Sequence, residues 1–362
     1  MDKYSIDGHK LQYHGDRVQQ WLNAKTEEEK LGVYPIYVEV SPVGHCNHRC
    51  TFCAVDYIGY RPRSIALETL QRTLRELGES GVRSVMFAGE GEPLLHKELA
   101  QAVNYAKEVG LDVGITTNGT QLTQGFIEEC LPAISWIKVS LNGGNRDVYS
   151  KIHQTKPEDF DKVWRNLAGA CIYRDIHKSS TVIGIQSVLL PENIDTIDEL
   201  VLDAKHCGLN YVVIKPYSQH LSSITRLYEG IKYGDASKMA VELAQHNSED
   251  FEVVTRYISM QAHDSDERGY SKCYSTPFLW AYVMATGDVY GCSAYLLDER
   301  FRYGNINTSS FREVWTSEAR RKAIDFVENK LDISECRKNC RMDKVNRHLW
   351  DIKNPNTHKN FI

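Results

Sequence analysis

Three of the ten cysteines lie close together near the start of the chain. They are Cys46, Cys50 and Cys53, with the spacing C-x3-C-x2-C. One short loop with this spacing can wrap three thiolates around a metal cluster and leave a fourth iron without a protein ligand. Such an iron is open to chemistry. Structural zinc sites usually have four ligands in two pairs, and the bacterial ferredoxin run is C-x2-C-x2-C-x3-C, so neither accounts for an isolated triplet.

Four more cysteines lie in the last part of the chain. They are Cys273, Cys292, Cys336 and Cys340. The first two flank a β-hairpin predicted at 282–290 from a central Gly-Asp pair. The last two are four residues apart and share one face if that segment is helical. Four thiolates in two groups suit tetrahedral zinc as well as a 4Fe-4S cluster, so both metals remain open at this point.

Strand-like and helical patterns alternate from residue 34 to residue 216. The predicted strands are 34–42, 84–88, 112–116, 136–141, 182–190 and 211–216, and the predicted helices are 67–77, 99–109, 124–130, 160–173 and 196–207. Strands separated by helices pair in parallel with right-handed crossovers. The pattern fits a partial α/β barrel and a flat doubly wound sheet equally well. In both, functional residues gather at the carboxyl ends of the strands.

The composition is that of an ordinary globular protein, with 362 residues, 42% of them hydrophobic, and a net charge of −5. This charge gives no general attraction for nucleic acid. No apolar stretch approaches the roughly 20 residues of a membrane-spanning helix. The opening residues MDKYSIDGHK lack the apolar core of a secretory signal. We expect a cytoplasmic protein without membrane or nucleic-acid partners, in which the cysteines serve metal or redox chemistry.

The cysteine triplet after a first strand resembles the hallmark of the radical S-adenosylmethionine (SAM) superfamily. The resemblance implies a (β/α)6 partial TIM barrel and so decides between the two α/β folds. It also implies that the triplet holds a 4Fe-4S cluster whose fourth iron is chelated by SAM. One electron then cleaves SAM, and the 5′-deoxyadenosyl radical abstracts a hydrogen atom from the substrate. Phe52, before the third cysteine, is expected near the adenine.

Three strand-end segments are similar to SAM-binding segments of this family. Segment 89–93, Gly-Glu-Gly-Glu-Pro, is similar to the one that receives the SAM ammonium group, and its form favours Glu92 over Glu90 as the ligand-facing carboxylate. Segment 116–120 resembles the family's Thr-Asn-Gly turn. Segment 140–143 resembles its Ser-Leu-Asp-Gly stretch, with Asn in place of the commoner Asp.

Two strand residues are expected to point into the barrel, Gln186 and, as a weaker candidate, Lys215, because lysines on strands are more often at the surface. The implied cofactor-binding residues are Phe52, Gly89, Gly91, Glu92, Pro93, Thr117, Asn118, Ser140, Asn142 and Gln186. Three cysteines in predicted helices are interpreted as small buried hydrophobic residues. These are Cys130, Cys171 and Cys207.

The pattern Cys-x13-Gly-x4-Cys that begins at Cys273 is similar to the opening of the SPASM extension of radical SAM maturases. A full SPASM pattern has about seven cysteines, so the four present resemble the truncated form, the twitch subdomain. The resemblance implies that these four cysteines hold a second, auxiliary 4Fe-4S cluster. The predicted regions are an N-terminal helical cap (1–33), the barrel (34–232), a helical connector (233–272), the auxiliary-cluster subdomain (273–345) and a tail (346–362).

A fully ligated second cluster suits electron transfer, which favours oxidation of the substrate. We expect dehydrogenation of a hydroxylated small molecule such as a sugar, aminocyclitol or nucleoside, with reduced flavodoxin or ferredoxin as the electron donor. Only 33 residues precede the first strand, fewer than a peptide-leader-binding domain needs. The alternatives are an epimerase, with Cys207 as the thiol nearest a strand, a ribosomal-peptide maturase, and a non-enzymatic iron–sulfur or zinc-binding protein.

Overall fold

The computed structural model describes residues 3, 4, 6, 8–265, 268–337 and 339–360. The described strands are β1 Tyr37–Val40, β2 Ser84–Phe87, β3 Asp112–Thr117, β4 Trp136–Ser140, β5 Val182–Leu189, β6 Tyr211–Pro216, β7 Glu252–Thr255, β8 Trp280–Val283, β9 Asp288–Tyr290 and β10 Arg302–Asn305. The described α-helices are α1 Gly15–Asn23, α2 Glu27–Leu31, α3 Leu67–Glu79, α4 Leu99–Glu108, α5 Gln124–Cys130, α6 Arg146–His153, α7 Glu158–Ile176, α8 Ile197–His206, α9 Ser237–Ala244, α10 Tyr257–Asp264, α11 Phe311–Trp315, α12 Glu318–Asn329 and α13 Asp343–Lys353.

These strands form one sheet in the order β10-β9-β8-β1-β2-β3-β4-β5-β6-β7. Strands β1 to β7 pair in parallel with their sequence neighbours. The predicted partial barrel of parallel strands is confirmed. Since parallel strands place their carboxyl ends at one edge, the loops after β1 to β6 meet around a common mouth.

Side chains alternate between the two faces of the sheet along each strand. One face is covered by helices, and the other faces a polar lumen. In β1, Val38 and Val40 are buried in the apolar core that also contains Leu70, Leu74 and Leu77 of α3. The intervening Glu39 faces the lumen side, where Arg341 pairs with its carboxylate. Burial of the apolar face, at about 25 cal/mol per Å², holds the helices onto the sheet. The lumen face is thereby left for polar chemistry.

The segment 233–272, predicted to be a helical connector, contains β7 in addition to two helices. This strand pairs in parallel with β6 and extends the barrel beyond the six predicted strands. Its core, Val253 and Val254, is buried. The strand is only four residues long, and its helical neighbours on both sides obscure the two-residue period on which a strand prediction depends.

The predicted C-terminal hairpin is present as β8 and β9, which pair antiparallel. Strand β8 also pairs in parallel with β1, so the hairpin continues the barrel sheet. The predicted boundary after residue 345 falls inside α13, and the other boundaries remain predictions. Within the described ranges, no helix combines the length and apolarity needed to cross a membrane.

The N-terminal segment contains α1 and α2, and a buried arginine attaches it to the C-terminal region. The guanidinium of Arg320 donates to the carbonyls of Leu31 at 3.0 Å, Val33 at 3.0 Å and Trp315 at 2.9 Å. Its side chain is fully buried. A buried charge is tolerated only when its donors are satisfied, and here backbone carbonyls satisfy them.

Candidate functional site

The loop after β1 brings its three cysteines together. Each of Cys46, Cys50 and Cys53 is electrostatically coupled to the other two. Burial and the neighbouring thiolates raise the pKa of Cys46 to about 11 and that of Cys50 well above its usual range. Thiolates packed in this way are stable only beside a strong positive charge. The three donors therefore fit an iron cluster, which supplies that charge.

A histidine on α6 supports the middle cysteine. Nδ1 of His153 lies 3.4 Å from Sγ of Cys50. The backbone N–H of Asn142 donates to Nε2 of the same ring at 3.1 Å. The proton of the neutral ring is therefore on Nδ1, which donates to the sulfur. Burial lowers the pKa of His153 well below its usual range, so the ring stays neutral.

His153 was not predicted as a site residue. Its signal is the Tyr-x3-His spacing at 149–153, which places both rings on one side of α6. The two rings stack with centroids 4.3 Å apart. Ring nitrogens of His48 and His153 and the Cys50 sulfur all lie within 4.8 Å of one another. Since both nitrogens of His153 already have partners, we interpret it as a donor to the cysteine.

Three of the predicted SAM-binding residues, Glu92, Thr117 and Asn118, form one hydrogen-bonded network. The carboxylate of Glu92 accepts from Thr117 Oγ1 at 2.5 Å and from the backbone N–H of Asn118 at 2.7 Å. Asn118 Nδ2 in turn donates to Oδ1 of Asn47, in the cysteine loop, at 2.7 Å. Burial raises the pKa of Glu92 to about 7, against these hydrogen bonds. Glu92 thus organises the turn after β3, and its contact with SAM stays a prediction.

The other carboxylate of this segment faces the C-terminal hairpin. Oε1 of Glu90 accepts from the backbone N–H of Ala285 at 2.6 Å, while Oε2 is buried without a partner in the described residues. Gly91 approaches the chain before the cysteines so closely that a Cβ atom there would lie 2.4 Å from the carbonyl oxygens of Val43 and His45. Glu90, which interrupts the family's double glycine, therefore connects the barrel to the hairpin through its bond to Ala285.

The remaining predicted cofactor residues lie around the mouth. Asn142 Nδ2 donates to Ser140 Oγ at 3.2 Å, and Asn142 Oδ1 accepts from the N–H of Val188 at 2.6 Å, which fixes β4 to β5. Gln186 pairs in register with Ser140. Phe52 packs on the apolar cluster around Val188. These positions are mutually close, and each residue's contact with SAM remains a prediction.

The four C-terminal cysteines also converge, since each of them is electrostatically coupled to the other three. Burial and this coupling raise the pKa of Cys340 to about 11. The described residues 336, 337, 339 and 340 are not helical. In the described part of the chain, no three of these sulfurs lie within 4.8 Å of one another.

An aromatic contact joins the two cysteine sets. Tyr57, four residues after Cys53, stacks on His220 with ring centroids 5.1 Å apart. Nε2 of His220 donates to the carbonyl of Ser293, the residue after Cys292, at 3.0 Å. Neither Tyr57 nor His220 was predicted, because no spacing rule links residues so distant in sequence. The contact links the segment after Cys53 to the residue after Cys292.

Comparison with known families agrees with this geometry. Residues 40–204 match the model of the radical SAM superfamily, and residues 273–341 match the SPASM iron–sulfur cluster-binding domain. The chain belongs to the radical SAM superfamily. It carries a SAM-binding 4Fe-4S cluster and an auxiliary cluster in its C-terminal SPASM domain. The family resemblance predicted from the sequence is confirmed.

Individual relatives match only part of this radical SAM chain. It is 34% identical over 116 residues to an S-adenosylmethionine-dependent nucleotide dehydratase of Lacinutrix mariniflava, which covers 30% of this chain and 23% of the relative. It is 31% identical over 186 residues to a GTP 3′,8-cyclase of Rhizobium leguminosarum, which covers 49% and 51%. Streptococcus suis SuiB bound to its precursor peptide SuiA superposes with a TM-score of 0.65 at 17% identity, over 87% of this chain and 71% of SuiB. That likeness shows a shared fold.

Proposed function

We propose that this chain is a radical SAM oxidoreductase that dehydrogenates a hydroxylated small molecule, such as a sugar, aminocyclitol or nucleoside. The observation that carries the proposal is the closed set of four coupled thiols at the C-terminal site. Four protein ligands leave a cluster without an open iron, so electron transfer is the chemistry left to it. The nucleotide substrates named for two relatives support the nucleoside among these choices.

The two cysteine sets have separate tasks in this proposal. The SAM-binding cluster is held by Cys46, Cys50 and Cys53. The auxiliary cluster is held by Cys273, Cys292, Cys336 and Cys340. When bound, the first cluster with SAM supplies a 5′-deoxyadenosyl radical and the second supplies an electron acceptor. With both groups bound, the substrate would lose a hydrogen atom from carbon to that radical, one electron to the auxiliary cluster and a proton from its hydroxyl group to a base, which together leave a carbonyl.

The chain's own residues hold this arrangement in place. His153 donates a hydrogen bond to Cys50, and Glu92 with Asn118 fixes the turn beside the cysteine loop. The Tyr57–His220 contact, with the bond from His220 to Ser293, links the segments that follow Cys53 and Cys292. A reduced flavodoxin or ferredoxin is the proposed electron donor. Free cysteines and reduced clusters need a reducing compartment, which favours the cytoplasm.

The position of Cys207 favours dehydrogenation over epimerisation. An epimerase needs a hydrogen-atom donor, usually a thiol, in the barrel lumen. Cys207 packs beside Cys171 in the apolar layer between the helices and the outer face of the sheet. A thiol in that layer does not reach a substrate in the lumen. Peptide modification remains the second alternative, and substrate screening distinguishes it from dehydrogenation of a small molecule.

The test begins with anaerobic reconstitution of the full chain. We expect about eight irons per chain, falling to about four in the Cys46/Cys50/Cys53→Ala triple variant, with loss of 5′-deoxyadenosine formation. Cys130→Ala, which removes a buried thiol outside both sets, is the matched control and keeps both properties. Turnover with deuterated nucleosides and sugars should transfer deuterium to 5′-deoxyadenosine and yield a product two hydrogens lighter. A product of unchanged mass, or turnover with peptides alone, would contradict the proposal.

A further inference from the structure

A surface cavity of about 300 Å³, the lysine pocket, lies between the N-terminal helices, segment 272–278 and the helices α12 and α13. Its lining includes Trp21 of α1 and Tyr274, whose ring centroids are 5.6 Å apart. Nζ of Lys353, at the end of α13, lies 4.6 Å from the centroid of each ring. Cation–π attraction to the two rings holds this positive charge at the pocket wall.

Positive charge exceeds negative charge in this pocket. The four lysines that line it are Lys25, Lys30, Lys272 and Lys353. Among the described lining residues, Glu328 is the one acidic side chain, and its Oε2 lies 2.6 Å from Nζ of Lys30. Lys272 donates instead to the backbone carbonyl of Glu328 at 3.1 Å, and Lys25 donates to that of Leu22 at 2.9 Å. Because a carbonyl or an aromatic ring does not cancel a charge, three of the four lysines leave a positive field over the pocket.

The exposure of these lysines indicates the size of the partner. Lys25, Lys272 and Lys353 are all exposed. Each exposed ion pair contributes little, so flexible ammonium groups in water hold a small anion weakly. The same groups together steer a large surface of opposite charge toward the chain. Electron-transfer complexes have small interfaces, so a patch of this kind is sufficient to guide them. The pocket therefore favours an acidic protein surface over a free phosphate compound.

The pocket adjoins a ligand of the auxiliary cluster. Lys272 and Tyr274 line it, while Cys273, between them in sequence, packs against the apolar cluster of the C-terminal hairpin. The buried Asn346 of α13 fixes this segment, because it donates to the carbonyl of Lys272 at 2.9 Å and accepts from the N–H of Ser275 at 3.2 Å. The positive field thus lies over the backbone that carries a cluster ligand, where a docked electron carrier would be close to that cluster.

We propose that the lysine pocket docks an acidic one-electron carrier protein, such as a flavodoxin, which exchanges electrons with the auxiliary cluster. This inference rests on the proposed function, in which that cluster receives one electron from the substrate. The electron passes to the oxidised flavin of the carrier, so the cluster is oxidised by one electron, the flavin is reduced by one, and no bond forms. Trp21 and Tyr274 supply the apolar centre of the interface, and the lysines supply its charged rim.

The first experiment measures binding of oxidised flavodoxin to the reconstituted full chain by calorimetry. Wild type is expected to bind, with an affinity that falls about tenfold or more between roughly 20 and 200 mM salt, because exposed charges are screened. Lys272→Glu and Lys353→Glu should each weaken binding about three- to tenfold at low salt. Lys322→Glu, an exposed lysine on α12 outside the pocket, is the matched control and leaves affinity unchanged.

Three outcomes of this experiment overturn the proposal. They are the absence of flavodoxin binding, an affinity that does not depend on salt, and equal affinity in wild type and both glutamate variants. Pyrophosphate is the probe for the alternative occupant. If pyrophosphate binds, the same two variants weaken it and flavodoxin does not bind, the pocket is a small-anion site and the proposal is wrong.

The second experiment measures electron transfer in the Cys46/Cys50/Cys53→Ala triple variant, which keeps the auxiliary cluster. This variant is reduced chemically, freed of reductant and mixed rapidly with oxidised flavodoxin. Adding Lys353→Glu should lower the second-order rate constant for flavin reduction about threefold or more, with about four irons retained per chain. An unchanged rate overturns the proposal, even if Lys272→Glu, next to a cluster ligand, loses iron.

Dehydrogenation with a chemical reductant, assayed in parallel, keeps the two hypotheses apart. If dehydrogenation is absent from a chain whose flavodoxin binding depends on these lysines, the proposed function alone is refuted. If dehydrogenation occurs while flavodoxin binding is the same in wild type and both glutamate variants, this inference alone is refuted.

Discussion

Removal of the hydrogen bond from His153 to Cys50 should lower the reduction potential of the SAM-binding cluster. An N–H that donates to a thiolate stabilises the more negative, reduced state more than the oxidised state. A hydrogen bond to a charged group contributes about 1.5–3 kcal/mol. If the hydrogen bond is stronger in the reduced state by one third of this free energy, its loss shifts the redox equilibrium by about 0.5–1 kcal/mol. At 59 mV per tenfold change for one electron, His153→Leu should lower the potential by about 20–40 mV.

The assay is a redox titration followed by electron paramagnetic resonance, with iron content measured on the same samples. His153→Gln keeps an amide donor and is expected to restore part of the potential. His177→Gln, an exposed histidine at the end of α7, is the matched control and should leave it unchanged. The leucine variant also leaves the N–H of Asn142 without its acceptor, which costs about 1–3 kcal/mol of unfolding free energy. A potential that stays constant or rises in His153→Leu, with four irons retained in the cluster, would refute the tautomer assigned here.

Two further outcomes are expected. Cys292→Ala should reduce iron from about eight to about four per chain and abolish dehydrogenation while uncoupled SAM cleavage continues; parallel loss of both activities would contradict separate roles for the clusters. Arg320→Leu should lower the unfolding free energy by about 3 kcal/mol in denaturant titrations, because several buried carbonyls lose their donor. A change under about 0.5 kcal/mol would contradict the role of Arg320 in attaching the N-terminal segment.

Local patterns predicted most of the barrel, since its first six strands contain buried β-branched residues and a predicted helix separates each strand from the next. The cysteine triplet was equally readable, because its three ligands lie within eight residues of sequence. The residues that contact these groups in the folded chain could not be predicted in this way. The contact of His153 with Cys50 joins residues 103 positions apart, and that of Glu90 with Ala285 joins residues 195 apart. Such pairs depend on the folded topology, which a spacing rule cannot contain.

The strand that leads into the cysteine loop also positions the auxiliary subdomain. Strand β1 pairs with β2 on one side and with β8 on the other, and β8 begins the hairpin that ends at Cys292. Glu90 adds a side-chain bond between the SAM-binding segment and this hairpin. Because backbone ladders and buried hydrogen bonds both resist displacement, the separation of the two thiol sets is fixed by the fold. In the proposed function, an electron that leaves the substrate would thus have an acceptor at a constant distance.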